Sequence, residues 1–240
     1  MKIFIDSANL IEIEKYLSFG LCDGVTTNPS IYLQCGVSGG ISSIRKKSLE
    51  IAHLISPRPL SVEVTSDNPD EIMAQAREYT SWANNIAVKV TITNRHGQAL
   101  LPVIHKLVSD KIQVNVTAML TFNQMILASK CIESARPSGG PTHFISLFAG
   151  RIADEQGIDQ AVRSLQTTRA WLDQHNYSSE IIVGSIRRAE NISSYANTGA
   201  HILTIPPNVI AESLLSARTK ETVLQFLQDA NKALSNMENS

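Results

Sequence analysis

The chain has 240 residues, of which 43% are hydrophobic and 18% are charged, and its formal net charge is -1. This composition is too apolar and too weakly charged for a disordered protein. The even balance of acidic and basic residues argues against nucleic-acid or anionic-membrane binding, which needs a basic face.

Short apolar runs alternate along the chain with longer stretches of helical period, which predicts strands that alternate with helices. A break at residues 28–30 and a surface loop at 135–141 are predicted from their turn-forming residues. The predicted elements, in chain order, are strand 2–5, helix 10–19, strand 25–27, helix 41–55, strand 60–64, a helix that starts at 68–71, strand 85–90, helix 98–108, strand 112–116, helix 122–131, strand 143–148, helix 159–175, strand 180–183, helix 189–198, strand 201–205, and helices 208–216 and 221–234.

Strands that alternate with helices pair in parallel through right-handed crossovers. Eight such units in a chain of this length predict one domain over residues 1–240, an α/β fold of the (β/α)8 or TIM-barrel type. The alternative is an open doubly wound sheet, which favours a glycine-rich loop after its first strand. The turn after the first predicted strand instead reads DSAN at 6–9, which favours the barrel.

The cysteines Cys22, Cys35 and Cys131 are odd in number and form no C-x-x-C pair. A disulfide framework or a zinc site is therefore not expected, and a reducing cytoplasmic environment fits best. Asp6 interrupts the apolar start of the chain, so we expect no signal peptide. No window of 18 apolar residues occurs that would predict a membrane span.

Polar side chains stand at or near the ends of seven of the eight predicted strands. The active site of a β/α barrel lies at the C-terminal ends of its strands, so these residues are expected to meet at one mouth. One such residue would mean little, because turns are polar. The seven are Asp6, Asn28, Glu63, Lys89, Thr117, Ser146 and Ser185.

Lys89 is the most informative of these residues, because it lies within the otherwise apolar strand segment IAVKV at 86–90. A partly desolvated lysine loses its proton more easily and becomes a nucleophile toward carbonyls. Glu63 has the corresponding place one strand earlier, so the two side chains are expected to meet directly or through a water. The alternatives are a lysine on an edge strand and a plain structural ion pair.

Three arginines suggest an anionic ligand: Arg151 follows the sixth predicted strand, and Arg187 and Arg188 follow the seventh. The segment GSIR at 184–187 offers a hydroxyl, backbone N–H groups and a guanidinium just before a predicted helix, a combination that suits an anion. A phosphate site near the seventh and eighth strands is common in such barrels. The alternative is solvated surface arginines, which fits Arg188 best.

Seven short motifs follow one another in order along nearly the whole chain. They are FIDSAN at 4–9, GVTTNPS at 24–30, SVEV at 61–64, VKV at 88–90, NVT at 115–117, SLFAGRIAD at 146–154 and GSIR at 184–187. This ordered set resembles the transaldolase family in its short bacterial form, which includes the fructose-6-phosphate aldolase branch.

The resemblance implies that Lys89 forms a Schiff base with a ketose phosphate, such as fructose 6-phosphate or sedoheptulose 7-phosphate, and passes a dihydroxyacetone unit to an aldose phosphate. It implies acid–base catalysis by Asp6 and a catalytic water held by Glu63 and Thr117. It implies no metal and no organic cofactor, because the iminium polarises the substrate. The implied substrate-binding residues are Asn28, Ser146, Phe148, Arg151, Ser185 and Arg187.

Glu63 and Phe148 bear on the choice between a transferase and an aldolase. The aldolase branch typically has Gln and Tyr at these positions, so the resemblance favours transfer over release of free dihydroxyacetone. Thr91 and Ile186 depart from the family pattern and leave the substrate open, including a sugar with another anion such as a sulfonate. A barrel that binds sugar phosphates without catalysis is disfavoured, because the catalytic residues are all present.

The last predicted helix, at about 218–236, carries an apolar stripe formed by Val223, Phe226, Leu227 and Ala230. The stripe packs either on its own barrel or on a neighbouring subunit. The resemblance favours a homo-oligomer, with a pentamer or a decamer as the candidate states, and carbohydrate metabolism as its setting.

Overall fold

The computed structural model describes residues 1–238, and the side chains through residue 234. Eight parallel strands close into a barrel, in which each strand pairs with the next and the last pairs with the first. The predicted (β/α)8 barrel is therefore confirmed. The strands are β1 (Lys2–Asp6), β2 (Gly24–Thr26), β3 (Leu60–Glu63), β4 (Ile86–Thr91), β5 (Val114–Met119), β6 (Phe144–Leu147), β7 (Glu180–Val183) and β8 (Ile202–Ile205).

Helices surround this barrel and connect its strands. No helix within the described residues is both long and apolar enough to cross a membrane. The helices are α1 (Leu10–Ser18), α2 (Pro29–Gln34), α3 (Ile41–Ile55), α4 (Pro69–Thr80), α5 (Leu101–Ser109), α6 (Phe122–Ala135), α7 (Ala149–Gln156), α8 (Ile158–His175), α9 (Asn191–Ala196), α10 (Pro207–Ser213) and α11 (Ala217–Glu238).

Two short helices differ from the sequence prediction. The predicted break at 28–30 is the start of α2, because Asn28 caps it by accepting a hydrogen bond from the backbone N of Ile31 at 2.9 Å. Pro29 then occupies the first turn, where its missing N–H costs nothing. Helix α7 was not predicted, and it carries Arg151.

Side chains alternate between the outer and the inner face of each strand. Val62, Val88 and Val90 face outward into the main core between the sheet and the helices. A second, smaller cluster fills the barrel interior toward the N-terminal ends of the strands, and we call it the barrel floor. The barrel floor consists of Phe4, Ala87, Phe144, Ile182 and Ile202.

The barrel floor is closely packed around two aromatic rings. The centroids of Phe4 and Phe144 lie 5.9 Å apart with the rings at 78°, an edge-to-face contact. Gly24 is required beside them, because a Cβ at this position would lie 2.6 Å from the Phe4 ring. The floor therefore closes the barrel from below.

Two histidines help to fix the N-terminal ends of the strands. Nδ1 of His143 accepts a hydrogen bond from the backbone N of Val114 at 3.2 Å, and Nδ1 of His201 accepts one from Ile181 at 2.9 Å. Burial, reinforced by the charge of Arg136, lowers the pKa of His143 to about 4. This ring is therefore neutral in the folded protein near neutral pH.

The final helix α11 begins at Ala217, close to the predicted start, and its apolar stripe faces solvent in this chain. Phe226 is 66% exposed and Leu227 is 58% exposed. Packing of this helix on a neighbouring subunit remains a prediction.

Candidate active site

A cavity of about 120 Å³ opens at the C-terminal ends of the strands, directly above the barrel floor. We call it the central cavity. Most of the polar strand-end residues meet there, and the structure adds Thr26 and Thr204 on the inner face of the barrel. Its lining consists of Asp6, Thr26, Asn28, Lys89, Ser146, Phe148, Arg151, Gly184, Ser185 and Thr204.

Lys89 stands in this cavity on β4, and only 5% of the residue is exposed. Its Nζ lies 3.2 Å from Oε2 of Glu63 and also donates to the carbonyl oxygen of Thr27 at 3.2 Å. The pairing follows from the register, in which Glu63 of β3 lies beside Lys89 of β4. The amine is thus held in a fixed place, where it can reach a carbonyl that enters the cavity.

Asp6 ends β1 and lines the same cavity as Lys89. Burial raises the pKa of Asp6, although the charge of Lys89 and a hydrogen bond from Thr26 act in the opposite direction. Oγ1 of Thr26 donates to Oδ1 of Asp6 at 2.6 Å, and Thr26 also hydrogen-bonds Thr204. A carboxyl group with a raised pKa is suited to taking up and returning a proton.

A chain of polar side chains crosses the barrel interior next to Lys89. Oγ of Ser146 donates to Oδ1 of Asn115 at 2.7 Å, and Nδ2 of Asn115 donates to Oγ of Ser61 at 3.0 Å. All three side chains are buried, so these bonds fix the direction of the Ser146 hydroxyl. Sequence reasoning did not single out Asn115 or Ser61, although period-two alternation places both on the inner face.

Glu63 and Thr117 lie outside the lining of the central cavity. Glu63 instead lines a neighbouring open groove of about 770 Å³, together with Thr91 and Arg95. Thr117 is fully buried on β5 beside Thr91, and its Oγ1 has no hydrogen-bond partner among the described residues. Lys89 therefore lines the small central cavity, whereas its partner Glu63 lines the larger groove beside it.

Arg151 enters the central cavity from the first turn of α7. Its Cζ lies 5.3 Å from the centroid of the Phe148 ring, in a cation–π contact. Gly150 lets α7 meet the loop that follows β7, because a Cβ there would lie 1.6 Å from the carbonyl oxygen of Ser185. This backbone-to-backbone contact places Ser185 and Arg151 on the same side of the cavity.

Arg187 takes a different place from the other predicted substrate-binding residues. It does not line the central cavity, and its Nη1 donates instead to Oδ2 of Asp154 at 2.7 Å. Residues 184–188 are irregular, and α9 begins at Asn191, two residues after the predicted helix start at 189. Ser185 adopts a φ of 61°, which helical backbone does not allow.

Comparison with known proteins identifies the family. Residues 3–240 match the sequence model of a family described as Transaldolase/Fructose-6-phosphate aldolase. The chain is 32% identical over 237 residues to a "Probable transaldolase" of Bartonella henselae, covering 99% of this chain and 100% of that protein. It is 33% identical over 229 residues to a "Probable transaldolase" of Lactiplantibacillus plantarum, covering 95% of this chain and 96% of that protein.

The fold is also similar to that of thiamine phosphate pyrophosphorylase from Pyrococcus furiosus, with a TM-score of 0.55. That match covers 85% of each chain at 8% sequence identity, so it shows the fold alone. The match to the family model and the two bacterial relatives confirm the resemblance that the ordered motifs indicated. The chain belongs to the transaldolase/fructose-6-phosphate aldolase family.

Proposed function

We propose that this protein is a transaldolase, which moves a dihydroxyacetone unit from a ketose phosphate to an aldose phosphate through a Schiff base on Lys89. The observation that carries the proposal is the shared cavity of Lys89 and Asp6, a buried amine and a carboxyl group with a raised pKa. Arg151 and Ser185 line the same cavity and supply groups that bind an anion.

The first half of the reaction begins when Nζ of Lys89 attacks C2 of the ketose. Glu63, 3.2 Å away, is the group best placed to accept a proton from the amine. The carbinolamine then loses water and becomes an iminium. The buried hydroxyl of Thr117 is available to a water in this region, since buried hydroxyls without protein partners commonly bind one.

Cleavage uses Asp6 as the base. Asp6 removes the proton from the C4 hydroxyl, the C3–C4 bond breaks, and its electron pair flows into the iminium to give an enamine. The aldose phosphate leaves with the new aldehyde group. In the second half, C3 of the enamine attacks the aldehyde of the acceptor, and Asp6 returns its proton to the new hydroxyl. Water then releases the product ketose from Lys89.

The polar lining suits the two ends of such a substrate. Asn28 and Ser146 are placed to hold the hydroxyl groups of the dihydroxyacetone unit, and the Ser146 hydroxyl is already fixed by Asn115. Arg151 and Ser185 are placed to hold the phosphate. The small volume of the cavity, about 120 Å³, suits the three-carbon unit better than a whole sugar phosphate.

Phe148 favours transfer over simple cleavage. It lines the central cavity with a ring that has no hydroxyl to donate, so it cannot protonate the enamine and help to release free dihydroxyacetone. Product analysis of fructose 6-phosphate turnover, with and without erythrose 4-phosphate, tests this choice. We expect turnover to depend on the acceptor, whereas accumulation of free dihydroxyacetone without acceptor would identify an aldolase.

Borohydride trapping tests the Schiff base itself. The protein is incubated with fructose 6-phosphate, reduced, digested and mapped by mass spectrometry. We expect a reduced three-carbon adduct on Lys89, which is lost in Lys89→Ala and retained in Lys130→Ala, a variant at an exposed lysine. Full transfer activity in Lys89→Ala would overturn the proposal.

A further inference from the structure

Asp154 on α7 forms ion pairs with two arginines, neither of which lines the central cavity. Its Oδ2 accepts from Nη1 of Arg187 at 2.7 Å, and its Oδ1 accepts from Nη2 of Arg188 at 3.2 Å. Each carboxylate oxygen therefore holds a different guanidinium. The Asp154 side chain is 28% exposed, whereas those of Arg187 and Arg188 are 50% and 58% exposed.

The helix that carries Asp154 also carries Arg151, three residues earlier on α7 and therefore on the same helix face. Arg151 lines the central cavity, and no carboxylate of the described residues lies within ion-pair distance of its guanidinium. Asp154 thus neutralises charge on the loop arginines and leaves the charge of Arg151 available to a ligand. Helix α7 therefore pairs with the two loop arginines through Asp154 and presents its own Arg151 to the cavity.

The loop that carries Arg187 has little regular structure of its own to hold this side chain. Residues 184–188 are irregular, and the backbone contact at Gly150 ties only their first part to α7. The Asp154 carboxylate provides a second tie, two residues beyond Ser185. A guanidinium has five N–H donors, and the bond to Asp154 uses one of them on Arg187.

We propose that Asp154 is a positioning residue for the anionic end of the substrate. It holds Arg187 against α7 on the side of the cavity where Arg151 and Ser185 lie, so that the remaining guanidinium donors serve the substrate phosphate. The proposal rests on the transaldolase function proposed above. The alternative is competition, in which the Asp154 carboxylate would occupy the Arg187 guanidinium and weaken its binding of the substrate phosphate.

The sign of the change in KM separates positioning from competition. Asp154→Asn removes the charge and keeps the size of the side chain. We expect the KM for fructose 6-phosphate to rise about tenfold, which corresponds to about 1.4 kcal/mol, with kcat within about twofold of the wild-type value. We expect the KM for unphosphorylated fructose to stay unchanged. An unchanged or lower KM for fructose 6-phosphate, or an equal change for both sugars, would overturn the proposal.

A double-mutant cycle tests whether Asp154 acts through Arg187. Asp154→Ala, Arg187→Ala and the double variant are compared by their KM for fructose 6-phosphate. We expect the two single effects not to add, because each removes the same contact to the phosphate. Arg188→Ala is the matched control, with a small effect that adds to that of Asp154→Ala. Additive effects of Asp154→Ala and Arg187→Ala would refute the proposed positioning.

Two controls keep these outcomes separate. Thermal unfolding shows whether Asp154→Ala still folds, and the near-isosteric Asn variant carries the test if it does not. If the wild-type protein transfers nothing from any ketose phosphate, the proposed function fails. Calorimetric binding of fructose 6-phosphate and inorganic phosphate then decides the role of Asp154: weaker binding in Asp154→Asn supports it, and equal or tighter binding contradicts it.

Discussion

The barrel interior contains two contrasting layers built from the same strands. Five strands place an apolar side chain in the barrel floor and, two residues later, a lining residue of the central cavity. Since side chains alternate along a strand, residues two apart point to the same face. The pairs are Phe4 and Asp6, Ala87 and Lys89, Phe144 and Ser146, Ile182 and Gly184, and Ile202 and Thr204.

In these five strands, a residue that packs the barrel floor and a residue that lines the cavity lie only two positions apart. The floor is apolar and buried, so its contribution to stability comes from burial and close packing. The cavity layer is polar and is ordered by specific hydrogen bonds, such as that from Thr26 to Asp6. Substitutions in the two layers should therefore change different measurements, and the predictions below begin with the largest expected effect.

Lys89→Met should abolish activity with little effect on folding. We expect transfer from fructose 6-phosphate to fall by roughly 10⁴-fold or more, because the covalent intermediate cannot form. The free energy of unfolding should change by only about 1 kcal/mol, because Glu63 lines an open groove where water can solvate its carboxylate, and loss of the lysine charge lets Asp6 take up a proton. Steady-state kinetics and urea denaturation measure the two effects. A large loss of stability would contradict the separation of the layers.

Phe144→Ala should have the opposite profile. It removes a ring from the barrel floor, and we expect a loss of about 3–5 kcal/mol in the free energy of unfolding, because a cavity remains. The kcat of the folded fraction should change much less than in Lys89→Met. Leu127→Ala, at a residue that is 55% exposed, is the control and should cost less than about 0.5 kcal/mol. Equal losses in both variants would show that the floor is not a tightly packed layer.

His143 should make the N-terminal end of the barrel sensitive to acid. Its pKa is lowered to about 4 in the folded protein, so between pH 6.5 and about 4 the unfolded chain binds a proton that the folded chain does not. Titration of His143 should lower the free energy of unfolding by at most about 1.4 kcal/mol for each unit by which the pH falls in this range. His143→Asn, which keeps an acceptor for the N–H of Val114, should reduce that slope in urea denaturation at several pH values. An unchanged slope in His143→Asn would disprove the assignment.

Asp6 should show the opposite pH dependence at the cavity layer. Burial raises its pKa in the folded state, so its contribution to stability is complete below the unfolded pKa and declines as pH rises through the folded pKa. Asp6→Asn should therefore gain stability relative to wild type as pH rises above the unfolded pKa, and it should lose transfer activity. Thermal unfolding across this range measures the effect. If the stability difference between Asp6→Asn and the wild type became smaller as pH rises, the raised pKa of Asp6 would be contradicted.

Asp110 provides the comparison for Asp6 on the protein surface. A hydrogen bond from Lys106 at 2.7 Å, with a second from Arg77, lowers the pKa of Asp110. Its favourable contribution is present above the unfolded pKa and is lost as pH falls through the folded pKa. Asp110→Asn should thus be slightly less stable than wild type at pH 7, and the difference should disappear in acid.

Much of the site was predictable because it depends on local order along the chain. The strand ends placed Asp6, Lys89 and Ser146 at one mouth, and the structure brings them together. The capping residue of α4 was also predictable, since Asn68 accepts hydrogen bonds from the backbone N of Asp70 and Glu71, both within three residues. Such features need only the neighbours in sequence.

Other features depend on contacts between distant segments. Asn115 and Ser61 are 54 residues apart in the chain and meet only because the barrel register brings β3 and β5 to the same lumen. Helix α7 has few apolar residues and no capping side chain, so local pattern did not reveal it. The segment 184–188 between β7 and α9 is irregular, and Gly150 of α7 packs closely against the carbonyl oxygen of Ser185 within it.

The sequence by itself determined the barrel and the family, since the period of apolar residues and the order of the motifs are properties of the chain. Only the tertiary structure decided which polar side chains became partners. Asn115 meets Ser61 across the barrel interior, and Arg187 pairs with Asp154 instead of lining the cavity. The physical reason is that charge pairing depends on distances of a few ångströms between segments far apart in sequence, and barrel closure sets those distances.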